Sequence, residues 1–143
     1  PHSFLGIDIN GCASIITTSG NENSNIVLRG GGGKKNIDIE SLESVINLCK
    51  KNNCNQNLIL DVSHDNSIVN NTKDFKEQIN NINNICEILK YNKQISVAGI
   101  MIESNINEGK QKISNNLKYG VSVTDGCINI EDTYECLKKI NKI

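Results

Sequence analysis

Arginine is almost absent from this chain: of its 15 basic residues only Arg29 is an arginine. A net charge of -1 offers no basic footprint for nucleic acid, and no apolar run approaches the roughly 20 residues of a membrane span. No signal peptide is visible. The six cysteines (Cys12, Cys49, Cys54, Cys86, Cys127, Cys136) form no CxxC pair and no metal-finger spacing. They fall mostly among apolar residues, as reduced structural thiols of a cytoplasmic protein do. No GxGxxG or P-loop spacing supports nucleotide binding. Small molecules are therefore the expected partners, with no nucleic acid and no membrane.

What is present is a repeated pattern. Ile95 to Ile102 (ISVAGIMI) has Ser96 as its only polar member, as in a strand buried on both faces of a parallel sheet, and ends on Glu103 before a polar loop. Asn25 to Arg29 (NIVLR, then Gly30 to Gly33), Leu58 to His64 (LILDVSH) and Val121 to Asp125 (VSVTD) follow the same rule. Four parallel strands would bring Arg29, His64, Glu103 and Asp125 to one carboxyl edge, where α/β enzymes keep their chemistry. Leu42, Val45, Ile46 and Cys49 mark a helix over 39–52, and Phe75, Ile79, Ile82, Cys86 and Leu89 one over 73–90. A last helix, about 131–143, would bury Cys136, Leu137 and Ile140. Strand and helix alternating in this way imply a parallel sheet with right-handed crossovers. Ahead of it, HSFLGIDI and CASIITT flank Asn10-Gly11, the signal for a hairpin closed by a type I′ turn. Asn-rich runs such as KKNNCNQN and NNINN read as compositional drift rather than as a functional signal.

Each polar residue taken singly has a plain reading. Arg29 could be a surface arginine before a linker, His64 a satisfied structural histidine, and Glu103 and Asp125 loop or cap carboxylates. Together they suggest more. One planar guanidinium beside a glycine run suits bidentate phosphate or carboxylate recognition. One histidine and two carboxylates around an open position suit a divalent metal.

PHSFLGI, TTSGNENSNIVLRGG, DVSHDNS, GIMIESNINEG and LKYGVSVTDGCI, in this order, resemble the C-terminal half of the type I 3-deoxy-D-arabino-heptulosonate-7-phosphate (DAHP) synthases. These are the first enzymes of the shikimate pathway of aromatic amino acid biosynthesis, and the likeness is greatest to the fungal and enterobacterial form. The resemblance implies the C-terminal half of a (β/α)₈ TIM barrel, since a whole one needs about 250 residues. Residues 1–20 would be an inserted β-hairpin and 21–143 the last strands and helices. It implies a divalent metal (Mn, Fe, Zn or Co) on His64, Glu103 and Asp125, with Asp61 orienting a ligand. Arg29 would hold the phosphate of phosphoenolpyruvate, and His64 would also be catalytic by relaying a proton.

The implied reaction condenses phosphoenolpyruvate with erythrose 4-phosphate. The family's cysteine ligand, its erythrose 4-phosphate loop, a second phosphate-binding arginine and its phosphoenolpyruvate lysine have no counterpart here. The chain alone is thus expected to be inactive, and to self-associate or bind the other half of the barrel. In the family the hairpin contributes to a feedback pocket, which would place Phe4, Gly6 and Ile16 near an inhibitor; an exposed hairpin without a ligand is the alternative. A non-catalytic remnant or a regulatory module binding an aromatic amino acid is the other class of function.

Overall fold

Three short parallel strands, β3 (Ile26–Leu28), β4 (Leu58–Asp61) and β7 (Val97–Met101), form the central sheet in the order β3-β4-β7 of a computed structural model that describes residues 1–143. α1 (Ile39–Lys51) connects the first pair and α2 (Glu77–Tyr91) the second, and α3 (Ile130–Ile140) closes the chain. Leu58 and Leu60 point into a core built with Leu42 and Ile46 of α1, Ile82 and Ile85 of α2, and Cys136 of α3. The alternation of a strand puts Ile59 on the opposite face, in register with Val27 and Gly99. That face has no helix over it, and Val27 and Met101 are exposed.

The helices start where side chains take up their free N–H groups. Asp38 accepts from the backbone N–H of Ser41 at α1, and Asn129 from that of Asp132 at α3. Leu42, Ile46 and Cys49 are buried along α1, as the spacing predicts.

Four expectations about the barrel segment need correction. First, 73–90 is not one helix. Residues 68–73 form a small antiparallel hairpin, β5 (Ile68–Val69) and β6 (Thr72–Lys73), because Asn70 and Asn71 both take positive φ, the type I′ geometry. α2 begins after the Asp74 side chain has bound the N–H of Lys76. Second, the sheet has three strands, not four. Ser122 Oγ accepts from the backbone N–H of Thr124, a local bond that competes with ladder formation in 121–125. The chain instead meets the end of β7 through Ile128, whose N–H donates to the carbonyl of Glu103. Third, β7 is not buried on both faces, since one face of the sheet is bare: Ala98 and Met101 are exposed. Fourth, Leu137 faces outward at 51% exposure, because α3 turns only Cys136 and Ile140 to the core.

The N-terminal hairpin, β1 (His2–Ile7) and β2 (Ala13–Thr18), is present, but no type I′ turn closes it. Only Gly11 takes positive φ there. The Asp8 carboxylate accepts from the N–H groups of Asn10 and Cys12 and holds a longer loop over 8–12. No residue of this hairpin enters the core.

Candidate active site

Buried amides order the carboxyl edge of the sheet. The Asn66 side chain donates to the carbonyls of Leu28 (3.2 Å) and Asp61 (2.7 Å), tying the ends of β3 and β4 together. Asn81 of α2 donates to the carbonyls of Val62 (2.9 Å) and Asn66 (2.7 Å). Gln78, fully buried, accepts from the N–H of Glu103 (2.8 Å) and donates to its carbonyl (3.1 Å). No buried side-chain polar atom is left without a partner. Asn81 lies within NNINN, so at least one residue of that run is structural rather than drift.

Three of the four residues, His64, Glu103 and Asp125, are linked by contacts, although Asp125 lies on a segment that forms no strand. His64, at φ +48° in the left-handed region, opens a short 3₁₀ turn whose other residues include Asn66. Its Nδ1 lies 2.8 Å from Asp61 Oδ2 and 2.8 Å from Ser63 Oγ. The Ser63 hydroxyl can give its proton to Asp61 Oδ1, 2.9 Å away, so Nδ1 faces two acceptors and is the protonated nitrogen. Nε2 is turned toward Glu103 Oε1, 3.8 Å away. Glu103 Oε2 and Asp125 Oδ1 then converge on one ammonium, Lys73 Nζ, at 3.3 and 3.1 Å.

The electrostatics follow from that contact. The hydrogen bond from Lys73 and its charge hold the Asp125 carboxyl below its ordinary value. Partial burial works against the charge on Lys73, but the bond to Asp125 and the field of Glu103 outweigh it and raise its pKa. Nearby, burial pushes the Cys127 thiol up, with Glu103 and Asp125 adding to the effect, which disfavours a thiolate there. All six cysteines are free.

Arg29 stands one residue beyond β3, exposed, and enters none of the ion pairs. The glycines after it make a tight turn in which Gly31 and Lys34 exchange backbone hydrogen bonds while Gly32 and Gly33 take positive φ. The anion this turn meets is Asp65, which accepts from the N–H of Gly33 at 3.1 Å. At the hairpin, Phe4 pairs with Ile16, and Ile16 lies across the face of Gly6, so these three residues share one surface.

Sequence reasoning missed Lys73, Ser63 and the amide clamps. Asn70-Asn71 was the available signal for Lys73, since a turn there removes it from the helix. Gln78 and Asn81 had none, because a buried amide on a helix differs from an exposed one only through its partners.

His64 Nε2 adjoins Glu103, and Glu103 and Asp125 share the Lys73 ammonium; one imidazole and two carboxylates are donor types that fit a borderline divalent ion. As it stands, no three of these side chains close to coordination distance.

A parallel α/β sheet with such a polar cluster at its carboxyl edge defines a class of fold and site, and comparison with known proteins specifies it. The model of the DAHP synthetase I family matches residues 1–138, and the chain belongs to that family. It is 40% identical, over 99% of its length, to the tyrosine-inhibited phospho-2-dehydro-3-deoxyheptonate aldolase of Candida albicans, and 38% identical, over 98%, to a phospho-2-dehydro-3-deoxyheptonate aldolase of Corynebacterium glutamicum. A solved structure of the Francisella tularensis phospho-2-dehydro-3-deoxyheptonate aldolase superimposes with a TM-score of 0.81 at 36% identity, covering 99% of this chain. The chain spans 39%, 38% and 40% of those three proteins.

Proposed function

We propose that this chain is the part of a 3-deoxy-7-phosphoheptulonate synthase that carries the metal and one phosphate-binding arginine, and that it joins phosphoenolpyruvate to erythrose 4-phosphate when the rest of a barrel is supplied. The observation that supports this reading is the series of contacts by which Asp61 holds His64, His64 adjoins Glu103, and Glu103 and Asp125 share Lys73.

His64, Glu103 and Asp125 would hold Mn, Fe, Zn or Co. The chemistry gained there is Lewis-acid polarisation of the aldehyde oxygen of erythrose 4-phosphate, which opens its carbon to the enol carbon of phosphoenolpyruvate. Arg29 binds the phosphate of phosphoenolpyruvate as a planar fork and orients the reactant. Asp61 keeps the proton of His64 on Nδ1. Gln78 holds the backbone of Glu103 so that its carboxylate is presented without a search.

The bare face of the sheet supports the partial-barrel reading. A folded chain of this mass exposes about 7,300 Å², whereas this one exposes 9721 Å². The excess, about 2,400 Å², is of the size an obligate interface removes from one partner. The complement, an N-terminal half or a second copy, would cover Val27, Ile59 and Met101.

The experiment is to mix the chain with an N-terminal half carrying the missing groups and follow phosphate release. Release should require both substrates and a divalent metal, the chain alone should be silent, and Arg29→Lys should weaken phosphoenolpyruvate at least tenfold. Enzyme-like release by the chain alone would overturn the account. A second reading rests on the shared surface of Phe4, Gly6 and Ile16: a regulatory module binding an aromatic amino acid. A folded mixture that binds tyrosine or phenylalanine but releases no phosphate would favour it.

A further inference from the structure

Lys73 has no part in the reading above, yet its ammonium occupies the centre of the cluster. It reaches Glu103 and Asp125 together, at 3.3 and 3.1 Å, from the end of a two-stranded hairpin whose residues 69–73 are all exposed. Two carboxylates turned toward one point repel, and without a cation between them they would separate. An ammonium on a four-carbon stem satisfies that need and can also leave, because the stem has many rotamers and the hairpin that carries it is exposed. The same two carboxylates are the proposed metal ligands. A divalent ion held between Glu103 Oε2 and Asp125 Oδ1 would take the position of the Lys73 ammonium.

We infer that Lys73 is the internal counter-cation of the metal-free site, holding Glu103 and Asp125 together until a divalent ion displaces it. The inference rests on the metal reading given under Proposed function. Lys73 then lowers metal affinity while keeping the empty site assembled. Lys110 is the other lysine whose charge reaches Asp125, without a contact, and serves as the control.

The test is calorimetric titration of the full 143-residue chain with Mn²⁺ and with Zn²⁺, comparing wild type, Lys73→Met, Lys73→Arg and Lys110→Met. Lys73→Met should bind at least tenfold more tightly and melt at a lower temperature without metal. Lys73→Arg and Lys110→Met should stay within about threefold of wild type. Unchanged or weaker affinity in Lys73→Met overturns the inference while the metal site stands. Absence of binding in wild type and all variants removes the metal site and the inference with it. Should Lys73→Met not fold, acetylation of the wild-type lysines, read by mass spectrometry with and without Zn²⁺, decides: Lys73 should react several-fold faster with the ion bound, and an unchanged rate overturns the displacement.

Discussion

Oδ2 of Asp61 lies 2.8 Å from Nδ1 of His64, three residues on, and Asp61 is 2% exposed. A buried carboxylate at that nitrogen chooses the tautomer of the ring and aims Nε2 at Glu103. Asp61→Asn keeps the shape but not the charge, and orienting partners of this kind are worth about 10–100-fold in metal affinity. Titration with Zn²⁺ should therefore show a weakening of that order, and His64→Ala a larger one. Equal affinity in Asp61→Asn and wild type would remove the orienting role.

Gln78 makes two hydrogen bonds to the backbone of Glu103 from the far side of α2's first turn. Gln78→Leu leaves the Glu103 N–H unpaired, while the carbonyl keeps its bond from the N–H of Ile128, so the cost is about 1–3 kcal/mol for the one unsatisfied group. Denaturant unfolding should show a loss of that size. A change under 0.5 kcal/mol would mean that the clamp is dispensable.

Adjacent glycines provide an internal control. A Cβ on Gly30 (φ +73°) would sit 2.7 Å from Asp65 Cβ and 2.8 Å from the carbonyl oxygen of Lys34, whereas one on Gly31 would meet nothing within 4 Å. Gly30→Ala should cost about 1–3 kcal/mol through strain at a left-handed position, and Gly31→Ala much less. The two melting temperatures, measured side by side, check this; equal shifts would count against a rigid turn after Arg29.

Acid should act through Glu77. Burial works to raise its pKa, but bonds from Lys35 and Asn80 outweigh that and hold the carboxyl below its ordinary value. The folded pKa lies below the unfolded one, so this contribution is complete above the unfolded value of about 4.3 and is lost as pH falls through the folded value. Melting curves from pH 7 to pH 3 should show Glu77→Gln less stable at neutral pH and converging with wild type in acid. A gap constant across that range would show that the pair contributes nothing.

The sequence alone determined the alternation of β3, α1, β4, α2, β7 and α3, the buried face of α1 and the places of Arg29, His64 and Glu103 just beyond the strands. All of these follow from periodicity and from polar residues that end apolar runs. Tertiary structure decided the rest. Val121 to Asp125 looked like a strand by composition, but Ser122 engages the local backbone and Ile128 takes the place beside β7. β7 looked doubly buried, yet one face is bare, because apolar composition records a need for cover and not the cover itself. Lys73 came into view only when a two-residue asparagine turn swung it from a presumed helix onto two carboxylates distant in sequence, a meeting that depends on three separate segments packing at once.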